Sequence, residues 1–140
     1  MKKIIYALII LVVLFGLIQL VPYGRNHTNP VVVSEPNWDS SATRDLVKTA
    51  CFDCHSNETI WPWYSNIAPV SWLVYLDVVG GRRHMNFSDW ASQSESANRI
   101  TSIINEGEMP PFQYTLIHKN AILDATQKKT LIDGITNTLK

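Results

Sequence analysis

The sequence Cys51-Phe52-Asp53-Cys54-His55 is the stretch that decides how this chain folds. Two cysteines separated by two residues and followed at once by a histidine form the attachment pattern of c-type haem. The spacing has a geometric reason, because thiols at these positions can add to the two vinyl groups on one edge of a porphyrin. The next side chain then lies under the iron. We therefore predict that Cys51 and Cys54 bind one haem c covalently and that His55 is an axial ligand of its iron.

Other uses of this pattern need partners that the sequence does not supply. A structural zinc site commonly has a second Cys or His pair at matched spacing, and His27, His84 and His118 form no such pair. A thioredoxin-like redox motif belongs in a βαβ unit, which the sequence does not predict. The chain has 2 cysteines, too few for a scaffold of several disulfides. Because the pattern fixes only three positions, a chance occurrence is the remaining alternative.

The second axial ligand is predicted to be Met109, in the sequence Gly107-Glu108-Met109-Pro110-Pro111. Two prolines fix the φ angles after the methionine and can present its thioether at a constant position. Ligation by His and Met raises the reduction potential of a haem and suits an electron carrier. The alternatives are that Met109 only fills a gap in the core, or that Met85, His84 or His118 is the ligand.

The N-terminus predicts a membrane anchor. Lys2 and Lys3 precede an apolar run over residues 4–21, and an apolar helix of about this length approaches the thickness of a bilayer. Basic residues favour a cytoplasmic N-terminus. We therefore expect residues 1–22 to contact membrane lipid as a single-pass anchor in the inner membrane, with the rest of the chain on the periplasmic side. A cleaved signal peptide is the alternative, although no Ala-x-Ala site follows the run.

The remainder of the chain predicts one mainly helical domain. Residues 23–37 are rich in turn formers and are expected to be a tether, and residues 38–140 are expected to form the haem-binding domain. No stretch alternates between apolar and polar residues as a strand would. Helices are predicted from Ser41 or Thr43 to about Ala50, through residues 70–77 as far as Gly80-Gly81, near Ser88, around residues 100–106 before Gly107, and from about Thr126 with Leu131, Ile132 and Ile135 buried.

Aromatic and basic residues after the haem motif have two interpretations each. Four aromatic side chains could wall the haem or form the core of a small domain; they are Trp61, Trp63, Tyr64 and Trp72. Arg82 and Arg83 could bind the haem propionates or lie on the surface as solvated charges. The whole chain has 12 basic and 12 acidic residues, and without a clustered basic face no nucleic-acid partner is expected.

From about Trp38 onward the chain resembles the bacterial haem-binding domain family of small c-type cytochromes. Besides the haem motif, the resemblance is carried by Trp61-Pro62-Trp63-Tyr64-Ser65 and its continuation to Trp72, by residues 86–90, by Met109-Pro110-Pro111, and by Tyr114 and His118. It implies covalent haem c, a cytochrome c-like helical fold around one haem, and electron transfer. The start of the last helix departs from the pattern, since Leu123-Asp124 stands where related cytochromes often have Leu-Ser.

These observations favour a one-electron carrier over an enzyme. The alternative is a haem enzyme or sensor, peroxidase-like or gas-binding, in which the sixth ligand can be displaced. A zinc-stabilised interaction module is a third hypothesis. The sequence does not identify the redox proteins that would exchange electrons with the chain.

Overall fold

A computed structural model describes residues 1–140, and the chain is mainly helical, as predicted. Short 3-10 turns lie at Trp63–Asn66, Trp90–Ser92 and Lys119–Ala121. The only strand-like pairing is an isolated parallel bridge between Ser34 and Asp89. The seven α-helices are α1 (Lys2–Ile18), α2 (Ser41–Ala50), α3 (Phe52–His55), α4 (Val70–His84), α5 (Ala97–Glu106), α6 (Phe112–Ile117) and α7 (Ala125–Thr138).

The predicted membrane anchor is wrong. Helix α1 has 17 residues, and none of the helices combines the length and apolar character needed to cross a membrane. At about 1.5 Å per residue α1 extends for about 26 Å, less than the hydrocarbon thickness of about 30 Å. The helix ends at Ile18, because the Gln19 side chain turns to the domain and pairs with the backbone N–H and C=O of Ala68, both at 2.9 Å. The transmembrane part of the predicted fold, the single-pass inner-membrane location and the expected lipid contact all depended on this span.

The core forms where α2, α3, α5 and α7 meet. Its seven buried apolar side chains are Val47, Phe52, Phe87, Ile100, Ile104, Leu131 and Ile135. Helix α2 begins where predicted, because the Ser40 side chain accepts a hydrogen bond from the N–H of Thr43. Helix α5 ends at Gly107, which adopts a left-handed conformation with φ of 78°. Thus the predictions of α2 and α5 are confirmed. The predicted burial of Leu131 and Ile135 on α7 is confirmed as well, whereas Ile132 is only partly buried.

Two helical boundaries differ from the prediction. Helix α4 does not stop at Gly80-Gly81 but continues to His84. Gly81 serves close packing, since a Cβ there would lie 2.4 Å from the carbonyl oxygen of Cys54. Helix α7 begins at Ala125, where Asp124 and Gln127 form a reciprocal capping box. Aspartate therefore supplies the cap at the position where the chain departs from the family pattern.

Residues 23–37, predicted as a tether, lie along the helical domain and are hydrogen-bonded to it. The Asn29 side chain donates to the carbonyl of Thr59 at 2.9 Å, and the N–H of Val33 donates to the carbonyl of Ser88 at 2.8 Å. Gly24 is buried with φ of 75°. A Cβ added at this position would lie 2.4 Å from the carbonyl oxygen of Ser71. Contacts along its length therefore fix the path of this segment.

Glu35 joins this segment to α2 through an ion pair with Arg44. Its carboxylate accepts hydrogen bonds from Arg44 Nε at 2.8 Å and Nη2 at 2.7 Å, and from Trp38 Nε1 at 2.7 Å. The Arg44 hydrogen bonds hold the pKa of Glu35 below its ordinary value of 4.5. Glu35→Gln is therefore expected to lower the free energy of unfolding at neutral pH by about 1 kcal/mol, measured by urea titration.

The Glu35–Arg44 pair makes the stability of the fold depend on pH. Since the folded-state pKa of Glu35 is depressed, its stabilisation is fully present above pH 4.5 and is lost as the pH falls through the lower folded value. The difference between wild type and Glu35→Gln should thus shrink in acid. Glu95→Gln is the matched control. Glu95 lies 3.5 Å from the exposed Arg99, so its loss should lower the free energy of unfolding by less than the loss of Glu35. Equal losses in the two variants, or a difference that does not change with pH, would contradict this assignment.

Candidate functional site

The haem motif lies at the wall of a cavity in the domain. The cavity has a volume of about 450 Å³, within the range of small-molecule and cofactor sites. Its apolar wall includes Leu76, Ile100, Ile103 and Ile104. Cys51, Cys54 and His55 line this cavity together with Met109, which is distant from them in sequence. The fold therefore brings the four predicted site residues together.

The two cysteines are positioned by adjoining helices. Cys51 follows α2 directly, and Cys54 lies in α3, packed against Gly81 of α4. Both thiols are free and half-buried. Burial raises the pKa of Cys51 to about 12, and burial together with the nearby Asp77 carboxylate raises the pKa of Cys54 to about 12. Low-pKa thiolates are the mark of redox-active cysteine pairs, so these environments disfavour the thioredoxin-like alternative.

The His55 imidazole is held by one nitrogen and leaves the other for a metal. Nδ1 lies 3.0 Å from the backbone oxygen of Met85. A carbonyl can only accept, so Nδ1 carries the proton and Nε2 has the free lone pair. Burial lowers the pKa of His55, which favours the neutral ring that coordination requires. The backbone N–H of Phe87 donates to the carbonyl of His55 at 2.8 Å and fixes the end of α3.

Met109 reaches the cavity from the loop between α5 and α6, with 39% of its surface exposed. Two of the alternative ligands, His84 and Met85, also line the cavity, whereas His118 does not. Met85 packs against the hydrophobic core, and His84 is exposed at the end of α4. Three candidate side chains for the second axial position therefore share one cavity.

Several side chains for which contact with the haem was one of two interpretations lie elsewhere. None of Trp61, Trp63, Tyr64 and Trp72 lines the cavity; Trp61 stacks on His27 with ring centres 4.4 Å apart, and Trp63 is 76% exposed. Arg82 is neither a solvated charge nor free for a propionate. Its guanidinium donates to the Ser56 carbonyl at 2.7 Å, to Asn29 at 2.7 Å and to Thr59 at 2.8 Å. Arg83 is exposed.

Sequence reasoning missed a polar network beside the motif. The Tyr114 hydroxyl donates to the Asp53 carboxylate at 2.7 Å, and the Tyr64 hydroxyl is 2.7 Å from His118 Nε2. The rings of Tyr114 and His118 stack with centres 4.1 Å apart. The spacing of Tyr114 and His118 by four residues was the available signal, since such residues share one face of a helix. Helix α6, which carries Tyr114, was not predicted.

The side chains around the cavity fit a haem. A porphyrin needs an apolar slot, an imidazole with a free nitrogen and, for covalent attachment, two thiols on one side. The slot, the imidazole and the thiols meet here. No group of three or more His, Cys, Asp or Glu side chains is arranged to hold a metal ion. The structure therefore offers no set of ligands for the zinc site of the third hypothesis.

One of the comparisons with known proteins gives a match. A family model described as a haem-binding domain matches residues 13–137, which is most of the chain. No curated protein and no solved structure matches the chain.

Proposed function

The chain belongs to the haem-binding domain family, and from that premise we propose that it carries one haem c and transfers single electrons. Covalent attachment is assigned to Cys51 and Cys54, and axial ligation to His55 and Met109. The observation that carries the proposal is that all four side chains line one largely apolar cavity.

Bound haem would supply an iron that gains and loses one electron at a time. The residues of the chain would hold that group and exclude water. The Met85 carbonyl orients the His55 imidazole at 3.0 Å, and Leu76, Ile100 and Ile104 supply apolar wall. Burial and ligand identity are two of the means by which a protein tunes a haem potential. With both axial positions filled by side chains, the protein would be a carrier and not an enzyme.

A second candidate follows from the exposure of Met109. A side chain that is 39% exposed on a loop could leave the iron and admit a small ligand. That behaviour belongs to a haem enzyme or a gas-binding sensor. The two candidates differ in whether carbon monoxide reaches the iron of the reduced protein.

The test uses the full chain produced with a working haem-attachment system. A pyridine haemochrome spectrum should show one haem c per chain. We expect the reduced wild-type protein to bind carbon monoxide slowly, and Met109→Ala to bind it at least about tenfold faster, because the variant has lost its axial thioether. Met85→Ala is the matched control and should bind carbon monoxide like wild type. Rapid binding by wild type, equal to that of Met109→Ala, would favour the sensor or enzyme and count against the carrier.

A further inference from the structure

Residues 109–122, here called the Met109 segment, have few ties to the rest of the chain. The backbone hydrogen bonds of the segment are internal to it, as in Tyr114 N–H to Pro111 C=O and Ala121 N–H to His118 C=O. Hydrogen bonds from the segment to other parts of the chain are made by two side chains, Tyr114 and His118. The position of the segment therefore depends on these two contacts and on apolar packing.

Tyr114 makes a hydrogen bond to the haem motif. Its hydroxyl donates to Oδ2 of Asp53 at 2.7 Å, and Asp53 stands between Cys51 and Cys54. The other carboxylate oxygen of Asp53 accepts from the N–H of Ile60 at 3.0 Å, and the Asp53 carbonyl accepts from Thr59 at 2.8 Å. Tyr114 is therefore bonded to a carboxylate whose own position is fixed, which makes it a firm anchor.

His118 makes the second contact, one turn further along. Its Nε2 is 2.7 Å from the Tyr64 hydroxyl, and its ring stacks on Tyr114 with an interplanar angle of 6°. The stacking couples the two contacts, because the rings brace each other on the same face of α6 and the adjoining turn.

Met109 stands five residues before Tyr114, and Pro110 and Pro111 lie between Met109 and α6. The φ angles of both prolines are fixed, which limits how far Met109 can move independently of α6. Neither Met109 nor Pro110 makes a backbone hydrogen bond that would hold the methionine independently.

We propose that Tyr114 is a positioning residue for the axial methionine. Its hydrogen bond to Asp53 holds the Met109 segment against α3, the helix that contains Cys54 and His55, and so keeps Met109 at the cavity. The proposal rests on the proposed function, since it assumes that Met109 ligates the haem iron. Tyr114 also lines the cavity, but it is assigned no bond to the iron, and its proposed effect acts through Met109.

The decisive variant is Tyr114→Phe in the full haem-loaded chain, with imidazole as the competing ligand for ferric iron. Because a hydrogen bond to a charged group is lost, we expect imidazole to bind about tenfold more tightly than to wild type. Hydrogen–deuterium exchange of residues 112–118 should quicken in the same variant, which reports on the segment without reference to the iron. Asp53→Asn should give a change in the same direction, and the double variant should add little to either single variant.

Tyr75→Phe is the matched control. The Tyr75 ring packs edge-on against Tyr23, and its hydroxyl makes no hydrogen bond, so the same chemical change should alter neither measurement. Imidazole affinity of Tyr114→Phe within twofold of wild type, or equal shifts in Tyr114→Phe and Tyr75→Phe, would overturn the proposal.

Met109→Ala separates this failure from failure of the proposed function. If Met109→Ala binds imidazole more tightly than wild type while Tyr114→Phe does not, Met109 is the ligand and Tyr114 does not position it. If Met109→Ala binds imidazole no better than wild type, the assigned ligation itself is wrong and both inferences fall.

Discussion

Replacing both Cys51 and Cys54 by alanine is expected to abolish covalent haem almost completely. Thioether bonds to the two thiols are the only covalent links that the proposed attachment uses, so after denaturing electrophoresis the variant should show no haem-dependent peroxidase stain. Each single alanine variant should keep one thioether and a weaker stain. Its pyridine haemochrome spectrum should shift, because one vinyl group then remains unsaturated.

Asp53→Asn is the matched control inside the same motif. It changes the residue between the thiols but leaves both sulfurs and His55 in place, so covalent haem should be retained. A wild-type chain that emerges colourless from cells with a working attachment system, with both thiols free, would refute the covalent assignment. A stain in the double alanine variant equal to wild type would do the same.

Gly81→Ala is expected to cause a large loss of stability. The new Cβ would lie 2.4 Å from the carbonyl oxygen and 2.9 Å from the carbonyl carbon of Cys54. These are backbone atoms of α3, so relief requires α4 to move away from the haem motif. Overpacking of this kind costs about 1–3 kcal/mol and occasionally more, and we expect a value near the upper end in urea unfolding. The fraction of chains that carry haem should fall as well.

Gly80→Ala provides the comparison one residue earlier. A Cβ on Gly80 meets no atom within 4 Å, and alanine is favoured over glycine in a helix by about 1 kcal/mol. This variant should be neutral or slightly more stable than wild type. If the two alanine variants unfold at the same urea concentration, the close approach of α4 to Cys54 does not constrain the fold.

Local sequence signals were sufficient for several elements. Ser40 and Gly107 mark helix ends by capping chemistry that acts within a few residues, and the predictions of α2 and α5 are confirmed. The same local rules do not tell whether a glycine ends a helix or allows close packing within one. Gly80-Gly81 predicted a stop, yet α4 continues to His84, because the lost helical propensity is offset by close packing on Cys54. The apolar run at the N-terminus predicted a membrane span, yet α1 ends at Ile18 where Gln19 bonds to Ala68.

What the sequence by itself determined was the chemistry of the site: two thiols and an imidazole at haem spacing, with the family confirmed over residues 13–137. Only the tertiary structure shows which distant residues reach it. Met109 and its rivals His84 and Met85 were all visible in the sequence, but their approach to one cavity depends on how α4 and α5 pack. The bond from Tyr114 to Asp53 joins residues 61 positions apart. No local pattern encodes such a contact, because its formation depends on the packing of the whole chain.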